Sequence, residues 1–143
     1  MQAKDIMTIG PLVAAGAELA VADVAQLMFV HDVGSVPVCD DEGRLLGIVT
    51  DRDLAVRVLG ERLSANTPVA AVMTPHVHVC RETDDIQAVE ATMTREKIRR
   101  IPVVDDDDCL CGFIALADLA RHPGADLNES EMAHVVEGIS RAE

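Results

Sequence analysis

Gly47-Ile48-Val49-Thr50-Asp51-Arg52-Asp53-Leu54 has a counterpart 65 residues on (112 − 47), Gly112-Phe113-Ile114-Ala115-Leu116-Ala117-Asp118-Leu119. In both, an apolar run passes through a corner into Asp-Leu-Ala. Upstream the match continues. Val36-Pro37-Val38 returns as Ile101-Pro102-Val103 at the same offset (102 − 37 = 65), and Ile6-Met7-Thr8 returns as Val72-Met73-Thr74 at 66 (73 − 7). Repetition at a fixed period is the first property to establish, because it determines the whole fold. A unit this long, in only two copies, does not suit a solenoid. It predicts one pseudo-symmetric globule with a cleft between its halves.

Each copy reads strand, helix, strand, strand, helix. In the first, Leu12 to Ala14 is a short apolar strand, and Val21, Val24, Ala25 and Met28 recur at helical spacing. Ser35 to Cys39 and Leu45 to Thr50 are β-rich and flank the turn Asp40-Asp41-Glu42-Gly43. Asp51 to Leu59 reads as a helix stopped near Gly60. In the second copy, Val77 to Cys80 is a strand. Thr83 is the expected N-cap of a helix with Ile86, Val89 and Met93 on one face, and Asp84 and Asp85 complement its dipole. Strands Arg100 to Val104 and Leu110 to Ala115 flank the turn Asp105 to Asp108, and a helix follows at Leu116 to Arg121. Pro37 and Pro102 lie within strand runs, which predicts edge positions or strand starts.

Glu61 to Pro68 connects the copies, and the repeat ends at His122. Asn128 to Arg141 predicts an extra helix, with Asn128 as cap and Glu131 three residues on. Its stripe of Met132, Val135, Val136 and Ile139 must pack on its own domain or on a partner. The organisation is a two-motif module over residues 1–122, with motifs at about 4–60 and about 70–122. A tail over 123–143 carries the helix at about 128–141.

A chain of 143 residues fits one domain with a substantial core. Hydrophobic residues make up 49% but aromatics only 1%, so the core is aliphatic and no aromatic platform exists to stack bases. The net charge of −13 argues against nucleic acid and against anionic membranes as partners. A small anionic ligand remains compatible, because salt screens the distant field and Lys97, Arg99 and Arg100 form a local basic cluster. No apolar run approaches the roughly 18 residues of a membrane span, and Met1 to Asp5 lacks a secretory start. The expected location is cytoplasmic. Four cysteines without CxxC spacing are expected to remain thiols.

The Met-Thr entries, the apolar-Pro-Val strands and the Gly-x-x-Thr-x-x-Asp-Leu corner, which recur in one order with Ala115 for the threonine of the second corner, resemble the CBS-domain family, named after cystathionine β-synthase. The resemblance covers about residues 4–122. It implies an α/β (α+β) fold, a tandem pair of βαββα motifs with pseudo-twofold symmetry. It implies two clefts for adenosine-containing ligands: AMP, ADP, ATP or S-adenosylmethionine. It also implies a regulatory module rather than an enzyme, similar to small stand-alone bacterial CBS proteins, some linked to energy sensing or stress responses. Such pairs form homodimers, flat discs of four motifs, and act on a protein partner that the sequence does not identify. No cofactor is required beyond a bound adenine nucleotide.

On that footing Thr50 and Asp53 are the leading ligand residues. A strand turning into a helix at Thr50 leaves first-turn N–H groups free for a phosphate. The Thr50 hydroxyl can bond phosphate or ribose, and the Asp53 carboxylate can accept from two ribose hydroxyls. Arg52 adds charge, and Val36 with Pro37 lines an apolar base slot. A plainer reading stands beside this one: Thr-x-x-Asp is also the spacing of a capping box. The second copy keeps the carboxylate, Asp118, but has Ala115 in place of Thr50, and Phe113 is bulkier than Ile48. A lost hydrogen bond costs about 0.5–3 kcal/mol, so that cleft is expected to bind more weakly or stay empty. Arg99 and Arg100 replace Gly34 and Ser35, either as anion ligands or as solvated or salt-bridged arginines.

His76, His78 and Cys80 alternate, which on a strand places all three on one face with zinc-compatible chemistry. Strand geometry spreads them too far for one ion, so no metal is expected. Cys109 and Cys111 share a strand face, with Cys39 in the corresponding hairpin, and read as small buried hydrophobes. Asp105 to Asp108 reads as a solvated turn rather than a calcium site. No histidine is linked to a nucleophile, and the chain has no glycine-rich phosphate loop and no zinc-protease motif.

Overall fold

Two β-hairpins carry the fold. β2 (Ser35–Cys39) pairs antiparallel with β3 (Leu45–Thr50), and β6 (Arg100–Val104) with β7 (Leu110–Ala115), over the spans expected from β-rich composition. Each turn is closed by its own aspartate. Asp40 accepts the N–H groups of Glu42 and Arg44, both at 2.9 Å, and Asp105 those of Asp107 (2.9 Å) and Cys109 (3.0 Å). The left-handed positions fall at Gly43 (φ 86°) and Asp108 (φ 63°). The computed structural model describes residues 1–10 and 12–121; the expected helix at 128–141 and its apolar stripe lie outside them.

Short strands complete two sheets. β1 (Ala15–Gly16), not Leu12 to Ala14, pairs parallel with β2 at Val38 and Cys39, and β4 (Thr74–Pro75) pairs antiparallel with β3. β5 (Cys80–Arg81) pairs parallel with β6 at Val103 and Val104. The sheet orders are β1-β2-β3-β4 and β5-β6-β7. Pro37 and Pro102 therefore sit on central strands, contrary to expectation. The reason is local. A proline opposite Ile48 cannot form a hydrogen-bonded pair, so its nitrogen faces the β1 side, where pairing begins only at Val38.

α1 (Val21–His31) and α3 (Ile86–Glu96) cover one face of their sheets and end in left-handed residues, Asp32 (φ 52°) and Lys97 (φ 57°). Val21, Val24 and Met28 are buried, as are Ile86, Val89 and Met93. Ala25, expected in the stripe, is exposed. The cap of α3 is Asp85, which accepts the Gln87 N–H at 2.8 Å, not Thr83. Thr83 lies two residues too early, and Asp84 closes the preceding turn on the Arg81 N–H (2.9 Å).

α2 (Asp51–Asp53) continues as a π-helix over Leu54–Leu59, whose wider turn is marked by the Gly60 N–H bonding the Ala55 carbonyl at 2.9 Å. Gly60 keeps a right-handed backbone. The stop comes at Arg62 (φ 57°), with the Leu63 N–H on the Val58 carbonyl at 2.8 Å. α4 (Leu116–Arg121) takes the equivalent place in the second repeat.

The repeat in sequence is not the unit of packing. One unit comprises Pro11–Val77; the other joins Met1–Gly10 to the chain from His78 onward. Ala3 and Ile6 enter the core of Ile86, Met93, Ile101 and Ile114. Val69 and Val72 enter the core of Val24, Val36, Val49 and Val58. Each entry segment thus serves the other copy's strands, through equivalent bonds. Val69 N–H reaches the Leu19 carbonyl at 2.8 Å, and Ala3 N–H reaches Asp84 at 2.8 Å. This explains why the glycines and the Met-Thr pairs repeat together. A Cβ at Gly47 would lie 2.6 Å from the Thr74 carbonyl oxygen and 2.9 Å from Met73 Sδ; at Gly112, 2.8 Å from Thr8 and 3.0 Å from Met7 Sδ.

Candidate ligand site

The corner between β3 and α2 is a closed capping box. Asp53 N–H donates to Thr50 Oγ1 at 3.1 Å, and Thr50 N–H donates to Asp53 Oδ2 at 2.9 Å. Both side chains are half-buried. The remaining first-turn donors are also engaged, Asp51 N–H by the Gly34 carbonyl (2.9 Å) and Arg52 N–H by Asp51 Oδ1 (2.8 Å). The expectation of free N–H groups for a phosphate is therefore corrected. Thr-Asp-Arg-Asp supplies its own acceptors, and two carboxylates at a helix start repel an anion.

Unused capacity remains. Thr50 accepts through its oxygen and keeps its hydroxyl proton as a donor. Asp53 Oδ1 makes only a long ion pair, 3.8 Å to Arg57 Nη2. A donor and a carboxylate oxygen side by side suit two vicinal hydroxyls better than a phosphate. The Arg52 side chain is exposed.

Val36 does not line a slot with Pro37. Consecutive strand residues face opposite ways; Val36 is 0% exposed in the core with Val38 and Val49, which leaves Pro37 on the other face.

The second corner has half of the box. Ala115 N–H donates to Asp118 Oδ2 at 2.8 Å, and Leu116 N–H bonds the Arg99 carbonyl at 3.0 Å, as Asp51 bonds Gly34. Arg100 stacks on the Phe113 ring, 4.7 Å from its centroid. Phe113 replaces Ile48 and Arg100 replaces Ser35, so these two departures from the repeat form one contact. Thr50, Asp53 and Arg52 belong to the first-repeat unit, and Asp118, Arg99 and Arg100 to the second-repeat unit.

The zinc-compatible set does not fit one ion. His76 adopts φ 58°, and residues 76–79 form no strand, so the alternation is broken. His78 Nε2 lies 3.2 Å from the Glu96 carboxylate, which Arg95 chiefly and His78 secondarily hold below its usual pKa. Burial, and after it the Asp84 carboxylate, pushes the Cys80 thiol up to about 12. Among the described residues no three His, Cys, Asp or Glu side chains converge on a metal position. Cys111 donates to the Val103 carbonyl at 3.2 Å and is also raised to about 12, by burial and then by Glu82. Among the described residues no helix is long and apolar enough to cross a membrane.

The apolar groove beside α1 was not anticipated from the sequence. It is lined by Ala22, Ala25, Leu54, Ala55, Val58 and Leu59, among others. Its signal in the sequence is the pair Ala22 and Ala25, three residues apart on the exposed face of α1.

A family model described as "CBS domain" matches residues 3–60 and 69–124. Hypoxic response protein 1 of Mycobacterium tuberculosis is 34% identical over 121 residues, 84% of this chain and 83% of the relative. A crystal structure of Hypoxic Response Protein I with two coordinated zinc ions superposes at TM-score 0.77, with 32% identity, over 85% of this chain and 98% of that one. CBSX2 in complex with AMP superposes at 0.74 with 27% identity, covering 84% and 93%. The CBS domain pair of protein MJ0100, with 5′-methylthioadenosine and S-adenosyl-L-methionine, superposes at 0.72 with 26% identity, covering 89% and 98%.

Proposed function

The chain belongs to the CBS-domain family, and on that premise we propose that it is a regulatory module binding an adenosine-containing ligand, chiefly through the first repeat's corner. The observation that carries this reading is the Thr50–Asp53 pair: a hydroxyl proton and a loosely engaged carboxylate oxygen, half-buried together. That chemistry suits the ribose hydroxyls shared by AMP, ADP, ATP, 5′-methylthioadenosine and S-adenosylmethionine. The solved relatives with AMP and with the two adenosyl compounds support the ligand class. Asp118 offers a weaker version, because Ala115 brings no hydroxyl. Arg52 supplies charge for a phosphate beside the first corner, and Arg99 and Arg100 supply it beside the second. The ligand stabilises one arrangement of the chain, and a protein partner reads that shift; no catalytic step is involved.

Titration calorimetry and thermal-shift scans with AMP, ATP, 5′-methylthioadenosine and S-adenosylmethionine test the reading. A specific ligand raises Tm with concentration, and Asp53→Ala abolishes the effect. Silence from all four ligands, or full binding by Asp53→Ala, overturns it.

The closed capping box favours a second reading, a ligand-free interaction protein in which Thr50 and Asp53 only start a helix. It predicts partner capture that is indifferent to added nucleotide.

A further inference from the structure

One side chain touches both the candidate ligand pair and the segment by which the chain leaves the first-repeat unit. Arg57 extends from the π-helix, four residues after Asp53. Its Nη1 donates to the Val72 carbonyl at 2.8 Å and to Thr74 Oγ1 at 3.3 Å, and its Nη2 lies 3.8 Å from Asp53 Oδ1. The Asp53 side chain is only 14% exposed, so this pair is better shielded from water than an ordinary surface pair. Val72 ends the 3₁₀ turn Val69–Ala71, Thr74 opens β4, and the unit itself ends at Val77.

The repeat provides an internal control. Asp53, Val72 and Thr74 return as Asp118, Ile6 and Thr8, but sixty-five residues after Arg57 (122 − 57) stands His122. The connector alone is not repeated. The fold does not supply the reason for it. Thr8 is seated on Phe113 by two backbone bonds of 2.8 and 3.0 Å, and Thr74 pairs with Ile48 in the equivalent place. An entry segment thus holds its strand through the backbone, and the arginine is an addition to the first repeat.

We propose that Arg57 is a positioning residue that couples the Asp53 carboxylate to Val72 and Thr74, so that what engages Asp53 is felt where the chain leaves the first-repeat unit. A guanidinium is planar, and its N–H groups form a rigid fork. The plane that turns Nη2 toward Asp53 also aims Nη1 at the Val72 carbonyl. Oδ1 is the oxygen that the capping box leaves over, and it has room for a second donor beside the guanidinium. A ligand hydroxyl on Oδ1 fixes the carboxylate and with it the fork. By reciprocity, a seated Arg57 raises the affinity by the same factor as the ligand favours its seating. The ligand step rests on the reading of Asp53 proposed above; the link from Asp53 to Val72 does not.

Amide exchange of the full chain, with and without ligand, tests this. Without ligand, Asp53→Asn removes the charge and is expected to speed exchange across residues 69–75, as Arg57→Ala does, and the double variant is expected to be no faster than Arg57→Ala. Thr50→Ala breaks the other bond of the box but keeps the charge, and leaves residues 69–75 unchanged. Saturating AMP or 5′-methylthioadenosine is expected to slow exchange there in the wild type and not in Arg57→Ala. Arg57→Ala is expected to bind both ligands roughly two- to fivefold more weakly, the worth of a partly exposed ion pair. A purely structural arginine would leave Asp53→Asn and both affinities unaffected. An unchanged segment in Asp53→Asn, or additive effects in the double variant, overturns the coupling whether or not a ligand binds. Ligand binding that leaves residues 69–75 unprotected also overturns it, and spares the ligand reading. If neither ligand binds, that reading falls and the ligand-free comparison still decides the coupling.

Discussion

Replacing Thr50 by alanine converts the first corner into the chemistry of the second. The bond lost is Asp53 N–H to Thr50 Oγ1, 3.1 Å. The reciprocal bond, from the backbone N–H of residue 50 to the Asp53 carboxylate, does not use the Thr50 side chain and survives, as the Ala115 N–H to Asp118 bond at 2.8 Å demonstrates. Removing one such cap costs about 0.5–2 kcal/mol. With about 2.1 cal/mol/K of unfolding entropy per residue, a loss of about 1 kcal/mol lowers Tm by about 3 °C. Both functional readings share that loss. They part on binding. A hydroxyl bonded to ribose contributes about 0.5–1.5 kcal/mol, a roughly two- to tenfold loss of affinity; one bonded to phosphate contributes about 1.5–3 kcal/mol. Since the first-turn N–H groups are already engaged, the smaller loss is expected, and equally for AMP and for 5′-methylthioadenosine, which has no phosphate. Ala115→Thr should do the reverse, raising Tm by a similar amount. Scanning calorimetry and titration calorimetry with both ligands read these values. A Tm that falls while both affinities hold makes Thr50 a cap alone. A loss confined to AMP refutes the ribose argument.

Three further outcomes follow from the packing. Gly47→Ala places a Cβ 2.6 Å from the Thr74 carbonyl and should cost about 1–3 kcal/mol in urea unfolding; Gly16→Ala, with nothing within 4 Å, should not destabilise. Arg57 donates to the Val72 carbonyl at 2.8 Å and to Thr74 Oγ1 at 3.3 Å, so Arg57→Ala should cost about 1 kcal/mol and speed amide exchange selectively across residues 69–75. Cys80 is held protonated up to about 12 in the folded chain, against an ordinary value of 9.0. Between those values the unfolded state binds fewer protons, so this thiol's stabilisation is complete below pH 9 and is lost as pH rises toward 12, at up to about 1.4 kcal/mol per pH unit. The slope of stability against pH in that window should flatten in Cys80→Ala; an unchanged slope refutes the assignment.

What the sequence disclosed follows from how local each signal is. β2, β3, β6 and β7 are defined by β-rich runs around acidic turns, and their bounds were legible. The buried triads of α1 and α3 follow from helical periodicity. The two-residue strands β1 and β5 carry no such signal; their places depend on what β2 and β6 leave unpaired. The cap of α3 was misplaced because Thr83, Asp84 and Asp85 are all competent caps, and only the helix start selects among them. The exchange of entry segments was invisible for a different reason. Ile6-Met7-Thr8 and Val72-Met73-Thr74 are nearly interchangeable, so nothing in either identifies the core it enters. At the corner, Thr-x-x-Asp was recognised as both cap and ligand pair, but the engagement of every first-turn donor is a matter of geometry. Val36 and Pro37 do not share a slot because neighbouring strand residues face opposite ways, a rule that the β-rich run Ser35 to Cys39 already carries.

The exchanged entry segments also set an order of events during synthesis. Thr8 exchanges hydrogen bonds with Phe113, 105 residues later (113 − 8). At about 5–20 residues per second, the first segment made waits about 5–20 s for its partner strand. The Pro11–Val77 unit is complete well before that. The nascent chain thus completes the residues of the first-repeat unit while its apolar arm, Ile6-Met7, still lacks the strands it packs on. On a crowded polysome, the nearest vacant Gly112 site can belong to a neighbouring chain. Strand exchange between nascent copies is the characteristic misassembly this connectivity invites.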